Sequence, residues 1–337
     1  MACQIEEESI KFGRTSNIRS VCAYGGAPKS MQIRKIQQGV EVIIATPGRL
    51  NDLLEMRVVD LSHICFLVLD EADRMLDMGF EPQIRSIVEK IPTERQTMLF
   101  SATWPREIQQ LAYDFLKNPV EIKFGEQNSL NANKAIEQKI WVMTEGDKKK
   151  KLDEVIKEIN PDGVVTKMPK TIIFVARKLS CELLSNELWN AGYHVDALHG
   201  DRQQFQRTRT INNYKQGRLQ ILVATDVAAR GLDVKDIQVV INYDFPGGVS
   251  GVEDYVHRIG RTARGGAKGK AYTFFTAEND GKRADQLIGV LKRAEQEVPP
   301  ELQALSRPRG GGGGRGGFGF GYGGGRGGRG RGGGRFG

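Results

Sequence analysis

The sequence predicts an α/β protein built from two parallel sheets in succession. Three observations carry the prediction. Short apolar runs without a polar break recur along the chain, as strands covered on both faces require. Stretches with apolar residues three and four apart alternate with them, which is the helical spacing. The alternation lapses once, from about Gly125 to Ala135, and then restarts. A length of 337 residues suits two domains.

Residues 1–12 read as a helix with Ile5 and Ile10 among acids. Val21 to Tyr24 reads as a strand running into Gly25-Gly26. Glycines there let a ligand approach the backbone and offer bare N–H groups, although a simple turn is at least as good a reading. Val40 to Ala45 is a second strand, ending at Thr46-Pro47-Gly48-Arg49. That segment suits a phosphate-backbone clasp or, equally, the start of a helix. Phe66-Leu67-Val68-Leu69 reads as a strand buried on both faces, and it stops at Asp70-Glu71-Ala72-Asp73. Ligands of open α/β sheets sit beyond the carboxyl ends of such strands. An Asp there can hold Mg²⁺ on a nucleotide phosphate, usually through water, and the next Glu can orient or deprotonate an attacking water. On Asp-Glu alone, acids at a helix N-terminus are the stronger reading. The full tetrapeptide, together with the motifs downstream of it, reverses that.

Ile84, Ile87, Val88 and Ile91 mark an amphipathic helix. Gln96 to Phe100 is a strand that ends in Ser101-Ala102-Thr103. Those hydroxyls could bond the carboxylates of the neighbouring strand end, or cap a helix near Pro105. After the lapse, Leu152, Val155, Ile156 and Ile159 give a helix. Thr171 to Val175 is a buried strand followed by a helix through Leu188, and Tyr193 to Leu198 is a strand ending at His199-Gly200-Asp201. A helix covers Gln204 to Tyr214; Gln220 to Ala224 and Gln238 to Asn242 are strands. Lys270 to Thr276 and a helix from Lys282 to Glu297 close the pattern.

The net charge of +8 is uneven: residues 309–337 hold six Arg, no Lys and no acid, which leaves about +2 for the rest. Attraction to polyanions therefore comes largely from the tail. Cys3, Cys22, Cys65 and Cys181 fit no zinc or CxxC spacing and read as reduced thiols of a cytosolic or nuclear protein. No apolar run approaches the ~18 residues of a membrane span, and the acidic N-terminus lacks a signal-peptide core. A membrane is not an expected partner, and nucleus and cytoplasm both stay open.

Seven motifs now stand in order: Gly25-Gly26, Thr46-Pro47-Gly48-Arg49, Asp70-Glu71-Ala72-Asp73, Ser101-Ala102-Thr103, Gln204-Phe205-Gln206-Arg207, the run from Ala224 to Asp233, and His257-Arg258-Ile259-Gly260-Arg261-Thr262-Ala263-Arg264. With them the chain resembles the DEAD-box family of ATP-dependent RNA helicases of superfamily 2, over roughly residues 1–305. Met75 to Arg85 and the Gly/Arg-rich tail look most like the "p sixty-eight" branch.

The resemblance implies two RecA-like parallel-sheet domains, 1–124 (incomplete) and 137–305, a linker at 125–136 and a disordered tail at 306–337. It implies ATP and Mg²⁺ in a cleft between the domains and RNA across both. By similarity Asp70 positions Mg²⁺ through water, and Glu71 activates the attacking water. Arg261 and Arg264 reach the γ-phosphate as arginine fingers. Asp73, Ser101, Thr103 and Gly231 belong to the coupling of ATP to RNA, and Asp233 contacts the ribose. His257 and Arg258 bind the Asp-Glu-Ala-Asp and Ser-Ala-Thr segments and sense closure. Gly25, Gly26, Thr46, Gly48, Arg49, Gln204, Arg207 and Thr225 contact RNA through phosphates and sugars, largely independent of sequence. The implied mechanism is local strand separation, with ribonucleoprotein partners in prospect.

Parts of the family pattern are missing. No GxxxxGK followed by Ser or Thr occurs in the 337 residues, nor the adenine-reading Gln motif, nor Pro-Thr-Arg-Glu-Leu. Met1 to Ile5 resembles the segment that comes after Pro-Thr-Arg-Glu, so the expectation is an N-terminal truncation, an alternative start or an incomplete gene model. An exposed sheet edge, an uncovered apolar patch and poor or absent ATP hydrolysis by this polypeptide are expected with it. Ala263 stands where many members have Gly, and Pro246 to Asp254 looks a few residues longer than usual.

Residues 309–337 contain 19 Gly, six Arg and four aromatics, Phe318, Phe320, Tyr322 and Phe336. They cannot bury a core and read as disordered. Arg with interspersed rings offers phosphate contacts and base stacking, which makes Arg315, Phe318, Arg326, Arg329 and Arg331 candidate RNA contacts. The segment resembles RGG-type tails; a plain flexible tail is the less favoured reading. Two functions compete for the whole: an RNA-dependent ATPase and helicase, and a non-hydrolysing RNA-binding protein. A DNA helicase of the same superfamily is a weaker third.

Overall fold

The computed structural model describes residues 1–123, 131–229, 232–248 and 250–306. Met1–Ser306 form one compact unit. Gly231 and the tail candidates Arg315, Phe318, Arg326, Arg329 and Arg331 lie outside the described residues, as does much of the expected linker.

The first half holds two separate two-stranded sheets: β1 (Ser20–Ala23) with β2 (Val42–Ala45), and β3 (Phe66–Leu69) with β4 (Gln96–Leu99). The second half holds one six-stranded sheet made of β5 (Ile136–Met143), β6 (Thr171–Phe174), β7 (Val195–Leu198), β8 (Ile221–Ala224), β9 (Val239–Asn242) and β10 (Gly269–Thr276), in the order β5-β10-β9-β6-β8-β7. Every pairing is parallel. The α/β class is as the sequence predicts.

Register positions the motifs. Leu69 pairs with Leu99, so Asp70 and Ser101 leave β3 and β4 side by side. Ala23 pairs with Ala45, which brings the Gly25-Gly26 turn next to Thr46. Leu198 pairs with Ala224, so Thr225 emerges beside His199.

The core of the second half lies on both faces of its sheet. Ile172 and Phe174 point into one cluster with Leu222 and Val240, whereas Ile173 and Val175 point into another with Leu152 and Val223. This is the alternation of a strand covered by helices on both sides. In the first half the β1 residues Val21, Cys22 and Ala23 are buried on both faces, but helices cover only one face of the β3–β4 sheet, where Leu69 packs with Ile84, Ile108 and Leu111. Phe66 and Val68 are each 49% exposed on the other face, beside exposed Met98 and Phe100. The reading of β3 as buried on both faces is therefore corrected, and an uncovered apolar patch is present. Strand β5 escaped the sequence reading altogether. Its Ile136-Glu137-Gln138-Lys139 start alternates with charge and comes after the polar lapse, yet it pairs with β10 over eight residues. Among the described residues no helix is long and apolar enough to cross a membrane.

Candidate functional site

Asp70 is exposed at the end of β3, and its Oδ1 accepts the Glu71 N–H at 2.9 Å. Glu71 has φ 50°, a left-handed conformation that a non-glycine residue adopts at a cost. It precedes the helix Ala72–Asp77. Burial and then the Asp70 charge push the Glu71 carboxyl up, while Arg261 and Arg74 pull it down. Asp73 is buried, and its Oδ2 accepts the N–H groups of Ala102 (3.1 Å) and Thr103 (2.9 Å) and the Thr103 hydroxyl (3.1 Å). Of the two hydroxyls, Thr103 reaches a carboxylate; Ser101 instead donates to the Thr103 carbonyl at 2.7 Å.

From the second half, the helix Gly251–Ile259 carries Asp254, His257 and Arg258 and is followed by Arg261 and Arg264. It begins where only glycine fits, since a Cβ on Gly251 would lie 2.5 Å from the Pro246 carbonyl oxygen. The expected role of Arg258 is corrected. Its Nε and Nη2 grip Asp226 in a fork at 2.6 Å each, and its Nη1 donates to the Asp244 carbonyl at 2.6 Å. With its guanidinium over the Phe174 ring and 3% exposure, it braces its own half and does not bind the Asp-Glu-Ala-Asp or Ser-Ala-Thr segments.

His257 does approach the first half: burial, then the Arg74 charge, hold its pKa down, with Asp73 acting against them. Arg261 and Arg264 share the Leu232 carbonyl at 3.4 and 3.5 Å, and Arg264 lies 3.4 Å from Asp233. Burial and crowding by Arg264 push Arg261 down to about 10, with Glu71 opposing. An Arg whose charge is so disfavoured gains from an anion beside it. Arg74 and Asp254 form a buried ion pair between the halves.

The candidate nucleic-acid residues divide. Gly26, at φ +79°, lies so close to the second half that a Cβ there would be 3.2 Å from the Gln204 Cβ. Gly25 and Gly48 are exposed with open space around them. Gln204 accepts from Arg207 Nη1 at 3.2 Å, and the buried Arg207 Nε has no partner among the described residues. Thr46 binds the Ala23 carbonyl through its N–H at 2.9 Å, ahead of the helix Pro47–Glu55. Thr225 is buried at the end of β8. Arg49, expected in a phosphate-backbone clasp, turns inward. It is 8% exposed and donates to the Ala27 carbonyl at 3.2 Å and to Gln32 at 2.7 Å. Gln32 in turn donates to the Tyr24 carbonyl at 3.1 Å, so both side chains hold the turn that carries Gly25 and Gly26. Sequence reasoning missed Gln32, Arg74 and Asp254, which are polar residues on helices where exposure is the default.

A model of the DEAD/DEAH box helicase family matches residues 1–111, and one of the helicase conserved C-terminal domain matches residues 147–266. "DEAD-box ATP-dependent RNA helicase 14" of Arabidopsis thaliana is 50% identical over 311 residues, 92% of this chain and 48% of its own. "ATP-dependent RNA helicase DBP2" of Eremothecium gossypii is 50% identical over 312 residues, 92% of this chain and 54% of its own. The solved structure "S. cerevisiae Dbp5 bound to RNA and ADP BeF3" gives a TM-score of 0.74 at 29% identity, over 90% of this chain and 77% of that one. A variant of the same protein in the same complex matches at 30% identity over 76% of its chain. This chain belongs to the DEAD-box ATP-dependent RNA helicase family. It spans about half the length of the curated relatives it matches.

DEAD-box helicases use ATP, and the residues present fit the anionic end of a nucleotide. Glu71 of one half lies near Arg261 of the other, and Arg264 crowds Arg261. The Asp70 carboxylate is open to solvent, as an outer ligand to hydrated Mg²⁺ must be.

Proposed function

We propose that the protein is an ATP-dependent RNA helicase that couples ATP binding and hydrolysis to local RNA strand separation or ribonucleoprotein remodelling. One observation carries the reading: Glu71 from the first half and Arg261 from the second lie close enough to shift one another's ionisation. Neither half holds both groups, so a ligand that needs both favours the joined state. Bound ATP supplies the phosphoanhydride. Asp70 would hold Mg²⁺ through water, and Glu71, its carboxyl raised by burial, would take the proton of the attacking water. Arg261 and Arg264 would present planar donor forks to phosphate oxygens. Where such a finger has been isolated it contributes roughly 10³–10⁵ in rate. Asp233 would bind the ribose.

RNA would lie along Gly25, Gly26, Thr46 and Gly48 of one half and Gln204, Arg207 and Thr225 of the other, held through phosphate and sugar. The close approach of Gly26 to Gln204 supports one continuous strip, and so does the RNA in the Dbp5 complex. The Gly/Arg/aromatic tail would add stacking and phosphate contacts without sequence preference. Ribonucleoprotein partners and a nuclear or cytoplasmic location are proposed with this activity.

A second reading concerns a polypeptide of these 337 residues alone: it would grip RNA without hydrolysing ATP. The observation that favours it is the lack of GxxxxGK with Ser or Thr, the loop that cradles β- and γ-phosphates. ATP turnover with and without single-stranded RNA, in the chain and in Glu71→Gln, separates the two. RNA binding should be titrated alongside at two salt concentrations. RNA-stimulated turnover that is lost in Glu71→Gln upholds the helicase reading. Salt-sensitive RNA binding without turnover upholds the second, and the lack of both overturns both.

A further inference from the structure

Arg74 and Asp254 have no part in the chemistry above. Arg74 directly follows Asp73 on the helix Ala72–Asp77; Asp254 lies on the helix Gly251–Ile259, ahead of the fingers. Arg74 Nη2 pairs with Asp254 Oδ1, and only 10% and 11% of the two side-chain surfaces remain exposed. On its own helix Arg74 Nη1 also reaches Asp77 at 3.1 Å, and Asp254 Oδ2 accepts from Ser250 at 3.3 Å.

The charges around the pair explain what it does. Asp73 and Asp77 flank Arg74 on its own helix, and Glu253 and Asp254 face it from the other. Burial and then Asp77 and Asp73 push the Glu253 carboxyl up, with Arg74 opposing. Among the described residues, Asp73, Asp77, Glu253 and Asp254 thus converge from two halves around the Arg74 guanidinium, with His257 alongside. With Arg74 present the two helices attract; without it, like charges face one another and docking is disfavoured. The pair is also linked to each side of the site. The Arg74 N–H is bound by Asp73 Oδ1 at 2.9 Å, and the other Asp73 oxygen holds Thr103. Asp254 stands seven residues, about two helical turns, before Arg261.

We propose that Arg74 and Asp254 are a positioning pair that locks the finger-bearing helix onto the Asp-Glu-Ala-Asp helix, so that Arg261 meets Glu71 only while the pair is closed. What this closure serves rests on the helicase reading; the closure itself does not.

The test is a charge-exchange cycle in the full chain. Fluorophores at Tyr113→Cys and Leu183→Cys, both exposed positions, report the distance between halves, with the exposed Cys3 and Cys65 replaced by Ser. Arg74→Asp and Asp254→Arg should each cut the ratio of closed to open molecules roughly thirtyfold, the lower end of the effect of truncating one partner of a buried charge pair. The double variant Arg74→Asp/Asp254→Arg should recover the closed distance to within about threefold. Arg74→Gln and Asp254→Asn, gentler changes, should open the halves in the same sense if the reversals do not fold. A double variant no better than the singles, or singles that leave the distance unchanged, overturns the lock. Addition of ATP and single-stranded RNA is a separate arm: if neither ligand moves the distance while the cycle behaves as expected, the helicase reading fails and the lock stands.

Discussion

In the second half of the protein, β6, β8 and β9 lie between helices on both faces, and every residue of these strands is buried. In the first half, β3 is just as apolar yet leaves Phe66 and Val68 half exposed. As four-residue strings, β3 and β8 would be indistinguishable. What separates them is how many helices cover the sheet, and an apolar run sets only the preference for burial. The β3–β4 sheet therefore depends on one covered face, whereas the sheet of the second half is covered on both. The proposed chemistry follows the same division: the first half would supply Asp70 and Glu71 from a sheet open on one side, and the second would bring Arg261 and Arg264 from a sheet covered on both.

Truncating one ring in each half should break this comparison most sharply. Phe274 is fully buried, so Phe274→Ala should cost about 3–5 kcal/mol. Phe66 keeps half its surface in water, and Phe66→Ala should cost about 1 kcal/mol or less. Urea unfolding read separately for each half measures both, and equal losses would mean that the open face is covered in solution. Phe66→Ser together with Val68→Thr should also reduce binding of an apolar dye, whereas the same dye should ignore changes on the second half's sheet.

A smaller contrast lies in two Arg residues that both turn inward. Arg258 is buried and grips Asp226 with two prongs, but Asp226 keeps 28% of its side-chain surface in water, so Arg258→Ala should cost about 3 kcal/mol, the lower end for breaking a buried pair. Arg49 binds only a carbonyl and an amide at close range, with Asp52 3.6 Å away. Arg49→Ala should cost about 1–3 kcal/mol and should loosen the Gly25-Gly26 turn. Amide exchange confined to that turn is the check; exchange spread through the first half would give Arg49 a larger structural role.

These two Arg residues also show where the sequence stops being legible. Strand ends were readable because motifs come directly after apolar runs, and parallel register then sets Asp70 beside Ser101 and Thr225 beside His199. The direction of a long side chain was not. Arg258 and Arg261 stand three residues apart, yet one folds back on Asp226 and the other faces Glu71. Nothing local decides this, because the deciding partners come from other strands. Strand β5 was hidden for a related reason: it is an edge strand half in water, so charge interrupts its apolar residues. The Arg74–Asp254 pair joins residues remote in sequence and has no local signal at all.

The smallest expected effects are in pH, and they run in opposite directions in the two halves. In the second half Arg202, with bonds of 2.8 and 3.0 Å, and then His199 hold the Glu182 carboxyl down to about 2. A lowered carboxyl stabilises the fold above its unfolded value near 4.5 and loses that contribution as pH falls toward 2. In the first half burial and Asp70 raise the Glu71 carboxyl. Its ionisation therefore works against folding, and stability is lost as pH rises from 4.5 through its raised value. Denaturation midpoints followed from about pH 3 to about pH 8 should show Glu182→Gln flattening the acid limb and lowering stability at neutrality. Glu71→Gln should flatten the opposite limb and raise stability at neutrality. If Glu71→Gln instead destabilises the neutral protein, the Arg261 and Arg74 charges outweigh burial, and the first half gains from the ionised carboxylate that the proposed chemistry needs.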